Sequence, residues 1–486
     1  MVLRLALGAG RQRAEARREF VESLESQAHI GEYLLQNVIG QLSPGAWALV
    51  SLLAVLRRPV DLHDELLLEL IEAAEGRFAF SAAAVELIRC CLINNLRAAT
   101  LHPLIRDQIY GLLANDLPRR RRLHHLAAEW SELAESDVVE AAYHYGRAGE
   151  LVRASDVLDQ QGARLISLGK SLSTAAVIAE LLALVRRRRA SPSVERRLRV
   201  VRGDVLLPTA RSAEAEEDYA AAFALADTPQ VRAYIGWRLM QVHVQRGRAA
   251  AAIELGERLV AELLPADTVL RAQVEVVSTV ALQVLGRYAE SLELGRRVLA
   301  TLEHGVWADA APALPIRAQA HTTLAVISHI QGHTEAAFDH WERSLELQRQ
   351  AGLRMSEYRT LANLGIAWYG LGDFNRAFGY FEQALAGLSS TGEAYISARI
   401  HHNLGILYQV RGQIQASREA FESARRLKQQ TGDRHGLVLS EVMLAHSLVL
   451  QGDESAAWDL LDTARTAARS PRTRACRART AVRSHQ

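Results

Sequence analysis

Of the 486 residues only three are cysteine, and two of those are adjacent, Cys90 and Cys91, so neither a disulfide framework nor a zinc-ligand spacing can be built. A reducing compartment and a cytoplasmic location are expected. No run of 18 apolar residues occurs, so no membrane-spanning helix is predicted. The opening Met1-Val-Leu-Arg-Leu-Ala-Leu has too short an apolar core for a secretory signal. Neither sign of charge dominates: 57 basic and 55 acidic residues leave +2, which gives no global field toward nucleic acid or an acidic membrane. The chain lacks Gly-x-x-x-x-Gly-Lys-Ser/Thr and any apolar strand ending in paired acids, so nothing in it can cradle a triphosphate and its magnesium. ATP turnover is not expected. No nucleophile–base pair or metal cluster stands out, His124-His125 and His401-His402 lack partners at metal spacing, and neither an enzyme nor a bound metal or cofactor is predicted. Aromatics make up 6% and prolines number 11, while 49% of the residues are hydrophobic, the profile of an all-α chain.

What is present is a repeat. Leu364, Gly365, Gly372, Ala377, Phe381 and Ala384 recur 40 residues later as Leu404, Gly405, Gly412, Ser417, Phe421 and Ala424. The frame extends back to Leu324, Gly332, Ala337, Trp341 and Ser344, and forward to Leu444, Gly452, Ala457, Leu461 and Ala464. Leu364, Trp368 and Leu371 fall on one stripe of a first helix, Gly372-Asp373 breaks it, and Ala377, Phe381 and Ala384 follow the i, i+4, i+7 spacing of a second. Each unit is therefore a helical hairpin, with Gly352, Gly392 and Gly432 as stops between units. Before it, looser hairpins are expected around Gly169 and Ala175, around Ala215, Tyr219 and Ala222, and around Gly247 and Gly286.

This small-large-small pattern resembles the tetratricopeptide repeat, in the long-repeat subclass that also carries stretches like Asn363-Leu364-Gly365, Asn403-Leu404-Gly405 and Gly432-Asp433-Arg434. The resemblance implies an all-α, right-handed solenoid whose first helices line a concave groove. There Arg359 and Asn363 stand four apart, and Arg399 and Asn403 repeat them 40 residues on. With Tyr369 and His402 nearby they form a polar ladder suited to a protein or peptide partner carrying acidic residues. Its neighbours are Gln319 and Thr323 on one side, Leu439 and Met443 on the other. The alternative is that the asparagines bond to loops and the arginines are solvated.

Nearer the N-terminus, Ser43-Pro44 caps a helix running to Leu56. A second capped helix is expected from Ser81, carrying Val85, Ile88 and Leu92. A small hairpin turning at Asn94-Asn95 follows, and Pro103 opens another helix to Leu113. This order is that of a winged helix. Together with Leu101-His102-Pro103-Leu104-Ile105-Arg106-Asp107 it resembles the last part of the nucleotide switch of STAND signalling ATPases, the class that includes the NB-ARC proteins. In that family the histidine of this motif reads the phosphates of bound ADP. His102 is the matching position, although Pro103 replaces the acid that usually follows, and ADP or ATP enters only if an ATPase domain is supplied. A winged helix can read DNA, yet 81–91 offers only Arg89 for it, and nucleic acid is not an expected partner.

Residues 1–117 are thus expected to be a remnant of a STAND switch with its winged helix, 118–190 a helical arm, 191–468 the solenoid and 469–486 a basic tail. Two arginine runs, Arg119 to Arg122 and Arg186 to Arg189, read as solvated helix faces. The expected function is regulated protein–protein recognition in bacterial signalling or transcriptional control. The alternatives are the sensor half of an ATP-dependent STAND-type regulator and a winged-helix DNA binder.

Overall fold

The computed structural model describes residues 38–469 except 135, 168–169, 208, 210, 304–306, 308–309, 389–393 and 432. The expected stops at Gly392 and Gly432, the hairpin glycine at 169 and the basic tail lie outside the described residues. The described chain is helical with no named strand, and none of its helices is long and apolar enough to cross a membrane. It divides into two compact units, residues 1–165 with 171–205, and residues 166–170 with 206–486.

The first unit begins with α1 (Pro44–Val55), capped by Ser43, whose Oγ accepts from the Ala46 N–H. Ala46, Leu49, Val50, Leu52 and Leu53 are buried, so α1 is the centre of this core. The next helix, α2 (Glu65–Glu75), was not expected. Asp64 caps it through the Leu67 N–H at 2.8 Å, and Leu67 and Ile71 lie one turn apart on its buried side. The third, α3 (Phe80–Arg89), starts one residue before the expected Ser81 and has Ala79 at its cap, with no side-chain cap bond. It turns Ala83, Ala84 and Leu87 inward and leaves Val85 and Ile88 exposed, the reverse of the expected face. The hairpin expected at Asn94-Asn95 does not form among the described residues. Ala99 instead bridges Val60 through paired backbone bonds of 3.1 and 2.7 Å, and Leu62 N–H donates to Leu96 at 2.7 Å. The stretch following Pro59 is thereby paired across two helices, α2 and α3, rather than with its sequence neighbour. Then come α4 (Pro103–Leu112), α5 (Leu117–Leu133), α6 (Val138–Ala148), α7 (Leu151–Ser167), α8 (Ser171–Arg188) and α9 (Pro192–Leu206).

The second unit opens with α10 (Ser212–Ala224), which buries Ala215, Tyr219 and Ala222. Six hairpins follow. They are α11 (Pro229–Gln245) with α12 (Ala249–Glu262), α13 (Thr268–Val284) with α14 (Tyr288–Leu302), and α15 (Ala313–Ile330) with α16 (Thr334–Gln350). The last three are α17 (Arg354–Gly370) with α18 (Phe374–Leu388), α19 (Ala394–Val410) with α20 (Ile414–Thr431), and α21 (Arg434–Leu450) with α22 (Glu454–Arg469). One turn joins all six: Gly247, Gly286, Gly332, Gly372, Gly412 and Gly452 have φ between +71° and +83°. The following N–H reaches back five residues, as from Asp373 to Trp368 at 3.1 Å and from Gln413 to Tyr408 at 2.9 Å. This is the αL helix stop, in which an L side chain would cost about 1–2 kcal/mol. Because α17 ends at Gly370, Leu371 falls in the turn and is 52% exposed instead of extending the Leu364–Trp368 stripe.

The large residue of each unit explains a second glycine. Phe381 and Phe421 are buried between α17 and α18, and between α19 and α20, and a Cβ on Gly365 or Gly405 would stand 2.6 Å from the Cε1 of its ring. The Asn-Leu-Gly stretches thus mark where an aromatic lies against the first helix. Gly405→Ala should lower stability by about 1–3 kcal/mol through overpacking, despite alanine's better helix propensity. A thermal melt checks this; an unchanged or raised midpoint would mean the ring has room to move.

Each unit also packs a pair of histidines together, of which His124, His144 and His321 are buried and His340 half-buried. His124 Nδ1 lies 3.0 Å from His144 Nδ1, with Tyr110 Oη at 3.0 Å from His124 Nε2 and Glu140 at 3.5 Å from His144 Nε2. His321 Nδ1 lies 3.0 Å from His340 Nδ1, and its Nε2 is 3.4 Å from Glu303. At this distance one Nδ1–H donates to the other Nδ1, which needs at least one of the two rings to be neutral. Burial first, and the neighbouring histidine next, push His124 down to about 2 and His321 down to about 3. In the unfolded chain both would protonate near 6.5, so stability is full above that pH and is lost as pH falls below it. At pH 5 each unit should be weaker than at pH 7.5 by about 2 kcal/mol from this cause. Urea unfolding at the two pH values measures the loss, and equal midpoints would show that the pairs protonate without strain.

Candidate partner-binding groove

The side chains of the ladder stand on the first helices of adjacent hairpins, α17 and α19, which touch one another. Arg359 is exposed, while Asn363, Arg399 and Asn403 are half-buried. Four-residue spacing on each helix keeps arginine and asparagine on one face. Beside α17, Gln319 Nε2 donates to Thr323 Oγ1 at 3.4 Å, and Thr323 is buried, so that rung closes on itself. Beyond α19, Leu439 is 48% exposed and Val442 45%. The polar rungs therefore end on an apolar step.

Tyr369 and His402 are placed differently from the rungs. Tyr369 sits at the hairpin tip, its ring 5.7 Å from that of Phe374, about 9 Å along the helix from Asn363. His402 turns between helices: its ring meets Phe421 edge-on at 5.5 Å, and its Nδ1 is 3.0 Å from Ser440 Oγ. Burial and the charge of Lys428 push His402 down to about 4, so it is neutral near pH 7.

That lysine is the residue the sequence reading missed. Lys428 is 4% exposed, and its Nζ donates to the Gly436 carbonyl at 3.0 Å and to Ser440 Oγ at 2.8 Å. Burial lowers its pKa, Asp433 opposes this, and Arg399 lowers it further. A buried ammonium thus lies near the second rung, bonded to the Ser440 hydroxyl that His402 also contacts, with Asp433 close by. The signal was available: 428 follows Ser417, Phe421 and Ala424 on the buried stripe of α20, where the 40-residue frame puts Gln348 and Leu388. A lysine on a buried stripe needs a reason.

His102 is the N-cap of α4, with Pro103 as the first helical residue, and its Nδ1 accepts from the Leu104 N–H at 3.3 Å. The ring therefore has a local structural partner.

Residues 316–390, spanning most of α15 to α18, match the tetratricopeptide-repeat family model. A search of curated proteins returns no match. Among solved structures the chain is similar to a signal-transduction ATPase with numerous domains carrying a tetratricopeptide-repeat sensor, from Pyrococcus horikoshii. The identity is 13%, 96% of this chain is covered and the TM-score is 0.55. This chain spans 66% of that protein's length. It is also similar to the apo form of the quorum sensor NprR from B. thuringiensis (14% identity, 75% of this chain and 99% of that one, TM-score 0.46) and to aspartyl phosphate phosphatase F from Bacillus subtilis (11%, 75% and 93%, TM-score 0.45). The 40-residue frame, the recurring αL-glycine turn and the match over residues 316–390 agree: the hairpins of the second unit have the tetratricopeptide-repeat fold, stacked as an α-solenoid.

Proposed function

We propose that this solenoid is a protein-interaction scaffold of a bacterial signalling or transcriptional regulator, and that its groove at Arg359, Asn363, Arg399 and Asn403 takes a partner segment carrying acidic residues. The observation that carries the reading is the duplicated Arg/Asn rung on two touching helices, with Leu439 offering an apolar contact at one end. Guanidinium forks pair with carboxylates, and carboxamides satisfy an extended backbone. The test is a peptide array probed with the whole chain. Captured peptides should contain Asp or Glu beside an apolar residue, and exchanging those acids for amides should abolish capture. Capture that ignores the acids would mean that the ladder does not bind the partner.

A second reading is favoured by the likeness over 96% of the chain to the Pyrococcus horikoshii ATPase. In it the chain is the sensor half of an ATP-dependent STAND-type regulator, and His102 contacts the phosphates of ADP when a P-loop domain is joined to it. His102→Ala in such a joined protein should speed ADP release; unchanged release would leave His102 as the cap of α4 alone.

A further inference from the structure

The two arginine runs, more than sixty residues apart in sequence, meet in the first unit. They meet at Gly149, the αL stop between α6 and α7, whose φ is +104°. A Cβ there would lie 2.7 Å from Arg188 Nη1 and 4.0 Å from Arg121 Nε, so the two guanidiniums, from α8 and α5, stand within about 7 Å of one another. That is inside the Debye length of about 8 Å at physiological ionic strength. Arg120, next to Arg121 on α5, adds its charge to the same field, with its guanidinium 5.4 Å from the centre of the Tyr110 ring.

The nearby carboxylates pair with other groups rather than with these arginines. Arg147, which would be a fourth, is paired with Glu180 at 3.1 Å and stacked on Tyr143. The Glu150 carboxylate next to Gly149 is taken by His125 Nδ1 at 2.7 Å. Among the described residues, none of Arg120, Arg121 and Arg188 has a carboxylate within ion-pair distance. The carboxyl end of α6 favours one cation at Gly149, which accounts for Arg188 by itself. It does not account for three. Loss of water, then Arg121, then Arg120, shift Arg188 toward its neutral form. Below them His124 is neutral and offers no negative charge.

We propose that Arg120, Arg121 and Arg188 form a binding site for a small, multiply charged phosphate anion. Planar forks arriving from two helices suit a group that presents several oxygens and more than one negative charge. A compact oligophosphate fits better than a nucleic-acid backbone, because Glu150 and Glu180 flank the patch and would repel a long polyanion crossing it.

The test uses the whole chain, sodium tripolyphosphate as probe, calorimetric titration, and two variants of equal charge. Arg121→Gln with Arg188→Gln removes the convergence, whereas Arg186→Gln with Arg187→Gln removes two arginines of the same run that do not contribute to it. The wild type and the second variant should bind alike, and the first should bind at least tenfold more weakly. Without ligand at low salt, Arg188→Gln should raise the melting midpoint relative to Arg187→Gln, because it relieves repulsion, and 1 M salt should erase the difference. Equal weakening in both double variants, or no binding by the wild type, overturns the proposal. A DNA duplex that displaces tripolyphosphate at lower phosphate concentration overturns the choice of a small anion.

Discussion

Phe421→Ala should destabilise the C-terminal hairpins by about 3–5 kcal/mol, the loss expected for removing a fully buried phenylalanine. The ring is 0% exposed, lies against Gly405, meets His402 edge-on and shares a core with Leu444, Ala445, Leu448 and Ala457. The loss should not spread evenly. Solenoid stability is roughly a sum of repeat terms and nearest-neighbour interfaces, so α19 to α22 should unfold in an earlier step while α11 to α16 melt as before. Hydrogen exchange resolved along the chain distinguishes this from a single cooperative collapse, which would mean that the hairpins are coupled more widely than their neighbours. Trp341→Ala should produce the same kind of local step centred on α15 and α16, since Trp341 holds the same frame position and is 2% exposed.

Replacing both Arg359 and Arg399 by alanine should weaken the partner by about 3–6 kcal/mol, if each makes one hydrogen bond to a charged group worth about 1.5–3 kcal/mol. That is a hundredfold or more in Kd. Arg399→Ala should be the more informative single change. It removes a cation that also acts on Lys428, so the lysine should become easier to keep protonated while the groove loses a donor. Asn363→Ala and Asn403→Ala should each cost less, because they give up neutral hydrogen bonds. Arg186→Ala with Arg187→Ala, in the other unit, should leave this affinity unchanged. The fold of each variant is checked by circular dichroism, and equal affinity of wild type and double variant would mean that the arginines are solvated surface.

Much of this architecture was legible because a repeat states its own frame. Gly332, Gly372, Gly412 and Gly452 named the turns, and Phe381 and Phe421 named the cores, since a backbone needing positive φ and a helix pair needing close approach both restrict residue choice severely. Where no repeat enforced the frame, local pattern misled. Val85 and Ile88 satisfied helical spacing but face water, because the core around α1 selected Ala83, Ala84 and Leu87. The helix from Glu65 carried its signal in Asp64, Leu67 and Ile71, yet sat between two stretches that already suggested a winged helix. The Val60–Ala99 bridge joins residues that no local pattern connects. For the groove, spacing identified which residues share a face, but not that Tyr369 and His402, one or a few positions away, turn to the tip and to the interior. Lys428 and the meeting of Arg121 with Arg188 are contacts between helices, and a helix pattern does not report what lies opposite it.

A double-mutant cycle between the groove and a captured peptide tests the Arg/Asn ladder directly. Affinities are measured for the wild type and for Arg399→Ala, each against the peptide and against a version with its acid changed to amide. If Arg399 pairs with that acid, the second substitution should cost little once the first is made, leaving a coupling of about 1.5–3 kcal/mol. Strict additivity, with both changes weakening binding independently, would contradict it and move the binding face away from the Arg/Asn ladder.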